Sequence, residues 1–211
     1  MKKLVVFFAA ALGVSAATFG QVKFGVKAGL NVSSVSAIES NLSQPSMESG
    51  DWATGLLAGA YASYAFSEAV GVQAELVFSQ QGGGLMVPAA DSSGLRNSLF
   101  RQTYLNLPLM VSVAPVKKLP LEILAGLQVG MRLKKTVDGE ENTVNGNDYV
   151  DLSAVLGAQY TLIKHLTFGL RYNIGLIPSF HHYNDVSFPG TTWTNIGARH
   201  RVLQLSVGWT F

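Results

Sequence analysis

The sequence ends on Leu203-Gln204-Leu205-Ser206-Val207-Gly208-Trp209-Thr210-Phe211, a stretch in which apolar residues alternate with polar or small ones. In an extended strand every second side chain points to the same face, so the odd-numbered residues form one wholly apolar face. A strand of this kind that ends on an aromatic residue is typical of the closing strand of a transmembrane β-barrel, where that face contacts lipid. The stretch therefore predicts an integral protein of the bacterial outer membrane.

The opposite end of the sequence has the pattern of a secretory signal peptide. Two lysines precede an apolar run at 4–17, and small residues stand at Ala17 and Gly20. The apolar run is too short for a bilayer-spanning helix, which disfavours the alternative of an N-terminal membrane anchor. We predict a signal peptide at 1–20, cleaved after Ala17 or Gly20, and one barrel domain at 21–211.

Composition narrows the classes of protein further. Hydrophobic residues make up 48% and charged residues 13% of the sequence, yet no apolar run after residue 20 is long enough for a transmembrane helix. Without the two signal-peptide lysines, 13 of the 15 basic residues remain and balance the 13 acidic ones, so no nucleic-acid partner is expected. The sequence has no cysteine, which excludes disulfides and a lipoprotein anchor.

Period-two alternation predicts eight strands with essentially uncharged outward faces. They are 22–33, 54–66, 69–80, 100–113, 120–133, 149–162, 165–177 and 199–211. Each has about 12 residues, enough for a tilted strand to cross the hydrocarbon layer. The second strand is rich in Ala and Gly, and we assign its even-numbered residues from Leu56 to Phe66 to the lipid face. Pro108 cannot donate to the ladder, so we expect a bulge there.

The connectors between these strands alternate between short and long. The short ones are 67–68, 114–119 and 163–164, and the long ones are 34–53, 81–99, 134–148 and 178–198. This alternation is typical of an up-and-down barrel with tight periplasmic turns and long extracellular loops. The predicted fold is thus all-β, an eight-stranded antiparallel up-and-down transmembrane β-barrel with both termini in the periplasm.

Four of the strands resemble a known family, the PorT-like outer-membrane β-barrels typical of the Bacteroidota, which have a small-barrel architecture of the OmpA/OmpX type. The matching stretches are 24–31 (FGVKAGLN), 71–82 (GVQAELVFSQQG), 104–109 (YLNLPL) and 170–176 (LRYNIGL). The resemblance implies a barrel and an outer-membrane location, without an established activity. One branch of the family takes part in a gliding and protein-secretion machinery, so the resemblance leaves a secretion-machinery subunit as an alternative.

Charged residues on the inward faces predict a polar plug in the barrel interior. An eight-stranded barrel is just wide enough for side chains to fill, so opposed charges inside it must pair. We expect Lys27 and Arg171 to pair with Glu75 near mid-depth. The predicted interior charge network also includes Glu122 on the periplasmic side and Arg132 and Asp151 on the extracellular side. The alternative interpretation of these groups is a narrow, selective pore.

Two further sets of residues are candidates for interactions with the membrane and its assembly machinery. Arginine pairs well with phosphate, so arginines near the extracellular strand ends are candidate contacts for lipopolysaccharide, or else solvated loop residues. These are Arg96, Arg101, Arg199 and Arg201. The outward residues of the last strand are a candidate signal for the barrel assembly machinery. These are Leu205, Val207, Trp209 and Phe211.

The histidines offer little chemistry. His181, His182, His200 and Asp185 could suggest a metal site, but adjacent histidines on an extended segment point apart. An outer-membrane lipid hydrolase or acyltransferase would need a Ser–His–acid set, and none is visible around His165. We therefore expect no catalytic residue, no metal and no cofactor. The predicted role is structural or interactive: envelope integrity, loop display or docking of an envelope or secretion partner.

Overall fold

The structure, a computed structural model, describes residues 22–38, 49–88, 95–116, 118–137, 140–142, 150–177 and 197–211. The predicted signal peptide at 1–20 lies outside these residues. None of the described residues belongs to a helix that is long and apolar enough to cross a membrane.

The described residues form one antiparallel sheet that closes on itself. Its strands are β1 (Val22–Ile38), β2 (Ser49–Ala65), β3 (Val70–Pro88), β4 (Leu95–Val113), β5 (Leu121–Val137), β6 (Glu140–Asn142), β7 (Val150–Ile163), β8 (Leu166–Gly175) and β9 (Gly197–Thr210). The order around the sheet is β4-β3-β2-β1-β9-β8-β7-β5, and pairing of β4 with β5 closes it. The three-residue β6 pairs only with the end of β5. The predicted eight-stranded barrel is therefore confirmed.

The closing strand pairs with the first strand, as the end of the sequence suggests. The pairing of β1 with β9 runs from Gly25 opposite Thr210 to Ile38 opposite Gly197. One further backbone bond extends this seam, because the N–H of Phe211 donates to the carbonyl of Phe24 at 2.8 Å. The two ends of the described barrel segment are thereby fastened to each other.

The short connectors lie at one end of the barrel, which we call the turn end, and the opposite end is the loop end. Phe66–Ala69 joins β2 to β3 and Lys164-His165 joins β7 to β8 at the turn end. Towards the loop end several strands are longer than predicted, and β3 and β4 pair as far as Pro88 and Leu95. The prediction that 34–53, 81–99 and 134–148 are loops is therefore wrong for those residues of the three ranges that belong to strands. Backbone pairing continues beyond the apolar alternation because it requires only N–H and C=O groups.

The predicted bulge at Pro108 is also wrong. Pairs with the same register flank Pro108 in the β3–β4 ladder, with Leu109 opposite Ala74 and Asn106 opposite Val77. Because proline lacks an N–H, it leaves out a ladder bond without displacing the strand. The irregularity of β4 lies instead at Thr103/Tyr104, in its pairing with β5.

The barrel is polar inside and apolar outside. On β3 the residue Glu75 is 2% exposed, whereas the next residue, Leu76, is 52% exposed. The same contrast settles the ambiguous β2, where Leu56 is exposed and Leu57 is buried, as we assigned them. An exterior of aliphatic side chains over a charged interior is the arrangement that a hydrocarbon solvent favours.

Exposed aromatic side chains concentrate towards the two ends of the barrel. Those nearer the turn end are Phe66, Tyr160, Phe168, Trp209 and Phe211. Trp52 lies nearer the loop end, whereas Phe78 and Tyr172 lie closer to the middle of their strands. Aromatic residues at these two levels match the girdles that flank the apolar band of membrane barrels.

Candidate functional site

Three charged side chains meet in the middle of the lumen. Lys27 on β1, Glu75 on β3 and Arg171 on β8 are all buried. The Arg171 guanidinium donates two parallel hydrogen bonds to the Glu75 carboxylate, from Nη2 to Oε1 at 2.6 Å and from Nη1 to Oε2 at 2.7 Å. The Lys27 ammonium donates to Oε2 of the same carboxylate. We call these three residues the triad.

The triad spans the barrel because of where its strands lie. β3 and β8 are four strands apart in an eight-stranded ring, so Arg171 reaches Glu75 from the opposite wall. Gly157 on the neighbouring β7 makes room for this reach. A Cβ at that position would lie 2.6 Å from the Cγ of Arg171. Because Gly157 has no side chain, the Arg171 side chain can pass close to the backbone of β7.

An amide chain extends the triad towards β5. Gln73 Nε2 donates to Glu75 Oε1 at 2.6 Å, and Gln159 Nε2 donates to Gln73 Oε1 at 3.2 Å. The same Gln159 nitrogen lies 2.8 Å from Oε2 of Glu122. Glu122 is therefore connected to the triad through two amides, with no cation bound directly to it among these contacts. Together these bonds cross the lumen from β1 to β5.

The charges in direct contact with Glu75 are unequal. Two cations share one carboxylate, Glu75, whose oxygens receive four hydrogen bonds from Lys27, Arg171 and Gln73. A buried carboxylate is stable only when its charge is balanced and its lone pairs are used. Arg171 supplies a positive charge and two hydrogen bonds, and its bidentate contact also fixes the orientation of the Glu75 carboxylate. The arrangement is suited to holding the lumen closed.

Arg132 and Asp151 lie in a separate layer, nearer the loop end. Arg132 donates from Nε and Nη2 to the Tyr104 hydroxyl at 3.2 and 3.1 Å, and its guanidinium lies 5.5 Å from the ring centroid. The Tyr104 hydroxyl in turn donates to Gln102. His200, on the opposite wall, approaches the Tyr104 ring edge-on at 6.2 Å. Asp151 is buried at the loop end of β7.

The six predicted interior charges thus lie in two layers. The layer nearer the turn end contains Lys27, Glu75, Arg171 and Glu122, and the layer nearer the loop end contains Arg132 and Asp151. Sequence reasoning missed the neutral partners in both layers. Gln73, Gln159, Gln102 and Tyr104 carry much of the hydrogen bonding, and the signal that could have found them is their place on inward positions of the alternation. The alternation does not show which of these side chains contact one another.

The candidate lipopolysaccharide contacts do not form one site. Arg199 and Arg201 are exposed, two residues apart on β9, whereas Arg101 is exposed on β4. β4 and β9 are four strands apart, so these arginines lie on opposite sides of the barrel. Arg96 belongs to β4, but its side chain lies outside what the structure describes. Arg199 and Arg201 are the one described pair that could bind the same phosphate.

The proposed assembly residues all lie on the outer surface. Leu205, Val207 and Trp209 are exposed along β9, and Phe211 is exposed directly after it. The Trp209 indole stacks on His165, with centroids 5.3 Å apart. His165 Nδ1 donates to the Thr210 carbonyl at 2.6 Å, so this histidine fastens the turn between β7 and β8 to the closing strand.

The remaining histidines add no metal site to the described part of the chain. His181, His182 and Asp185 lie outside the described residues, and His200 is buried in the lumen. Within the described ranges no group of three or more His, Cys, Asp or Glu could hold a metal ion.

A closed antiparallel barrel with an apolar exterior and a charged lumen defines an integral outer-membrane β-barrel. A family model described as "Outer membrane protein beta-barrel domain" matches residues 14–181, and the chain belongs to this family.

Several solved structures are similar to the chain. The Neisserial surface protein A is 12% identical, with a TM-score of 0.53 over 89% of this chain and 97% of that one. OprG from Pseudomonas aeruginosa is 14% identical, with a TM-score of 0.48 over 90% and 96%. Ail of Yersinia pestis is 13% identical, with a TM-score of 0.47 over 90% and 99%. At these identities the likeness concerns the fold alone. No curated protein shows significant sequence similarity to the chain.

Proposed function

We propose that this outer-membrane barrel has no catalytic activity and conducts no ions, and that it acts as a structural or interaction protein. The observation that carries the proposal is the bonded layer across the lumen, in which Arg171 reaches Glu75 from the opposite wall. A plug of buried, mutually bonded charges leaves the outer surface and the loops as the parts that meet other molecules. Stabilising the envelope, displaying loops and docking a partner are the roles that such a body serves.

A planar-bilayer recording of the purified, refolded protein tests the closed lumen. We expect no stable single-channel steps from the unmodified chain. Large, long-lived steps would establish the alternative of a narrow pore. A matched assay with lipopolysaccharide or phospholipid, read by mass spectrometry, tests the absence of catalysis, and released or transferred acyl chains would refute it.

The second candidate is a subunit of a PorT-like secretion machinery, and the resemblance of four strands to that family supports it. A machinery subunit would be bound to partner proteins in the envelope, whereas a stand-alone barrel would not. Cross-linking in intact membranes followed by pull-down distinguishes the two. Recovery of stoichiometric envelope proteins supports the machinery, and recovery of the barrel with lipid alone supports a stand-alone role.

The orientation and the lipid contacts belong to the same proposal. We place the turn end and both termini in the periplasm, which puts Arg199 and Arg201 at the level of the outer leaflet. Residues two apart on a strand face the same side and have Cα atoms about 7 Å apart. At this spacing the guanidinium groups of Arg199 and Arg201 can bind the same phosphate of lipopolysaccharide. The lipid-facing residues of β9 would be recognised by the barrel assembly machinery during insertion. Protease cleavage of surface loops in intact cells tests the orientation.

A further inference from the structure

An apolar groove crosses the outer surface of the barrel on the side of the closing strand. Its walls are two parallel rows of outward side chains, which follow the pairing between the strands. The row nearer the loop end runs from Leu30 on β1 to Ala158 on β7, and the row nearer the turn end runs from Val207 on β9 to Leu121 on β5. The backbone between the rows forms the floor, and the groove has a volume of about 480 Å³.

The groove runs obliquely from the middle of the barrel to its turn end. Leu30 stands at the middle of β1, whereas Leu121 is the first residue of β5. The rows cross β1, β9, β8, β7 and β5, so spacings of about 4.8 Å between strands make the groove roughly 19 Å long. With the strands tilted by about 45°, the groove descends roughly 13 Å, close to the hydrocarbon thickness of one leaflet, about 15 Å. Its length and direction suit one acyl chain of a lipid whose headgroup lies at the turn end.

An apolar groove by itself does not select a lipid, because lipid tails are as apolar as leucine side chains. Selection requires a polar contact at one end of the groove, and two lysines at the turn end supply it. Lys118 lies in the turn before β5 and Lys164 in the turn after β7, and both are exposed. The two turns are adjacent, since the Thr161 N–H donates to the Pro120 carbonyl at 2.9 Å. Two ammonium groups therefore flank the end of the groove at which a lipid phosphate would lie.

The charges around these lysines favour an anion. Within the described ranges neither Lys118 nor Lys164 takes part in a salt bridge. Of the described acids at the turn end, Glu122 faces the lumen and accepts from Gln159, and Glu68 lies in the turn between β2 and β3. Exposed lysines at a membrane surface attract anionic lipids. A phospholipid with a net negative headgroup thus matches both the lysines and the groove.

We propose that this groove binds one anionic phospholipid, with an acyl chain between the two rows and the phosphate at Lys118 and Lys164. This lipid stays with the barrel, unlike the lipids that exchange over the rest of the apolar surface. Only its leaflet rests on the proposed function, because a periplasmic turn end puts the lipid in the periplasmic leaflet. The site is distinct from the Arg199–Arg201 pair, which lies towards the loop end of β9.

Native mass spectrometry of the barrel in micelles with added phosphatidylglycerol measures the binding. We expect one bound phosphatidylglycerol per barrel and weaker binding of phosphatidylcholine, whose headgroup has no net charge. Lys118→Gln combined with Lys164→Gln should weaken phosphatidylglycerol binding about fivefold or more, because both headgroup charges are lost. Lys23→Gln is the control, since it removes an exposed lysine at the same end of the barrel on β1. Equal binding of the two lipids, or equal effects of the lysine variants, would overturn the proposal.

Filling the groove tests the position of the acyl chain. Ala158→Phe places a ring between the two rows, whereas Ala74→Phe places the same ring on the lipid-facing side of β3, three strands away from β7. We expect Ala158→Phe to weaken phosphatidylglycerol binding several-fold and Ala74→Phe to leave it unchanged. Unchanged binding in Ala158→Phe would remove the acyl chain from the groove and overturn the proposal.

A measurement on the unmodified protein keeps the proposal open to refutation if a variant does not fold. Phosphatidylglycerol with a photoactivatable group on one acyl chain is cross-linked to the barrel in bilayers, and the labelled peptides are mapped. We expect the label to concentrate on the outward residues of β7, β8 and β9, and even labelling around the barrel would contradict the site.

Other occupants of the groove give different results in the same assays. Preferential retention of lipid A would assign the groove to lipopolysaccharide, and a lipid-free dimer would assign it to a second copy of the chain. Either result would overturn the proposal. A reversed orientation in the protease experiment would instead contradict the placement in the proposed function and would leave the lipid binding in micelles unchanged.

Discussion

At the scale of single residues, one buried carboxylate joins the charges of the triad. Glu75 is the shared partner of Lys27 and Arg171, and all three side chains are buried. The inward positions of these residues could be predicted from strand alternation, and so could the need for opposite charges to pair. The participation of Gln73 and the gap that Gly157 provides could not, because both depend on which strands become neighbours.

Replacing Glu75→Gln should destabilise the barrel strongly. The substitution keeps the size of the side chain but leaves two buried cations without their counter-charge, an effect of about 3–5 kcal/mol. Urea unfolding in micelles or liposomes gives the change in the free energy of unfolding. Glu122→Gln is the matched control, because the new amide oxygen still accepts from Gln159, and we expect a loss of about 1 kcal/mol or less. Equal losses in the two variants would show that Glu75 stabilises the barrel no more than Glu122 does.

At the scale of the strands, the seam between β1 and β9 decides whether the barrel closes. The outward faces of both strands could be predicted from their alternation, whereas the register between them could not. Gly29 shows what the register adds. A Cβ at Gly29 would lie 1.9 Å from the backbone carbonyl oxygen of Leu205, a contact that only a backbone shift could relieve.

We expect Gly29→Ala to reduce the yield of folded barrel several-fold, since the added methyl group forces β1 and β9 apart. Folded and unfolded forms separate by electrophoresis without heating, and the ratio of the two bands measures the yield. Ala28→Val is the control, because residue 28 faces lipid opposite Val207. A normal yield of Gly29→Ala would mean that the seam tolerates the shift.

Removal of Phe211 should cause the chain to accumulate in the periplasm. The deletion removes both the lipid-facing ring and the backbone bond to Phe24. Phe211→Ala keeps the backbone bond and removes only the ring, so the pair separates a seam defect from loss of an assembly signal. Membrane fractionation measures insertion. A defect in both variants supports the assembly signal, and normal insertion of both would contradict it.

At the scale of the whole molecule, the barrel presents different surfaces on its two sides. The apolar belt and the end positions of the arginines could be predicted from the sequence, but their distribution around the circumference could not. The closed order of the strands places the Arg199–Arg201 pair opposite Arg101. A lipid bound by the pair would therefore occupy one side of the barrel.

The double substitution Arg199→Gln with Arg201→Gln should lower the lipopolysaccharide that co-purifies with the barrel several-fold. Arg101→Gln should have a smaller effect, because a single exposed arginine holds a phosphate less firmly than a pair does. Quantifying lipid phosphate per barrel after purification in mild detergent gives the comparison. Unchanged lipid in the double variant would remove these arginines from the proposed contact.

The sequence by itself determined the class of fold, the face that each strand turns to lipid and the polar character of the interior. It could do so because a period of two residues along a strand is a local property, visible without knowing any neighbour. Only the tertiary structure decided that the interior charges divide into two layers, that Pro108 causes no bulge and that the strands continue into the predicted loops. Those features depend on strand order, register and closure, which bring residues such as Glu75 and Arg171, 96 positions apart, to opposite walls of one lumen.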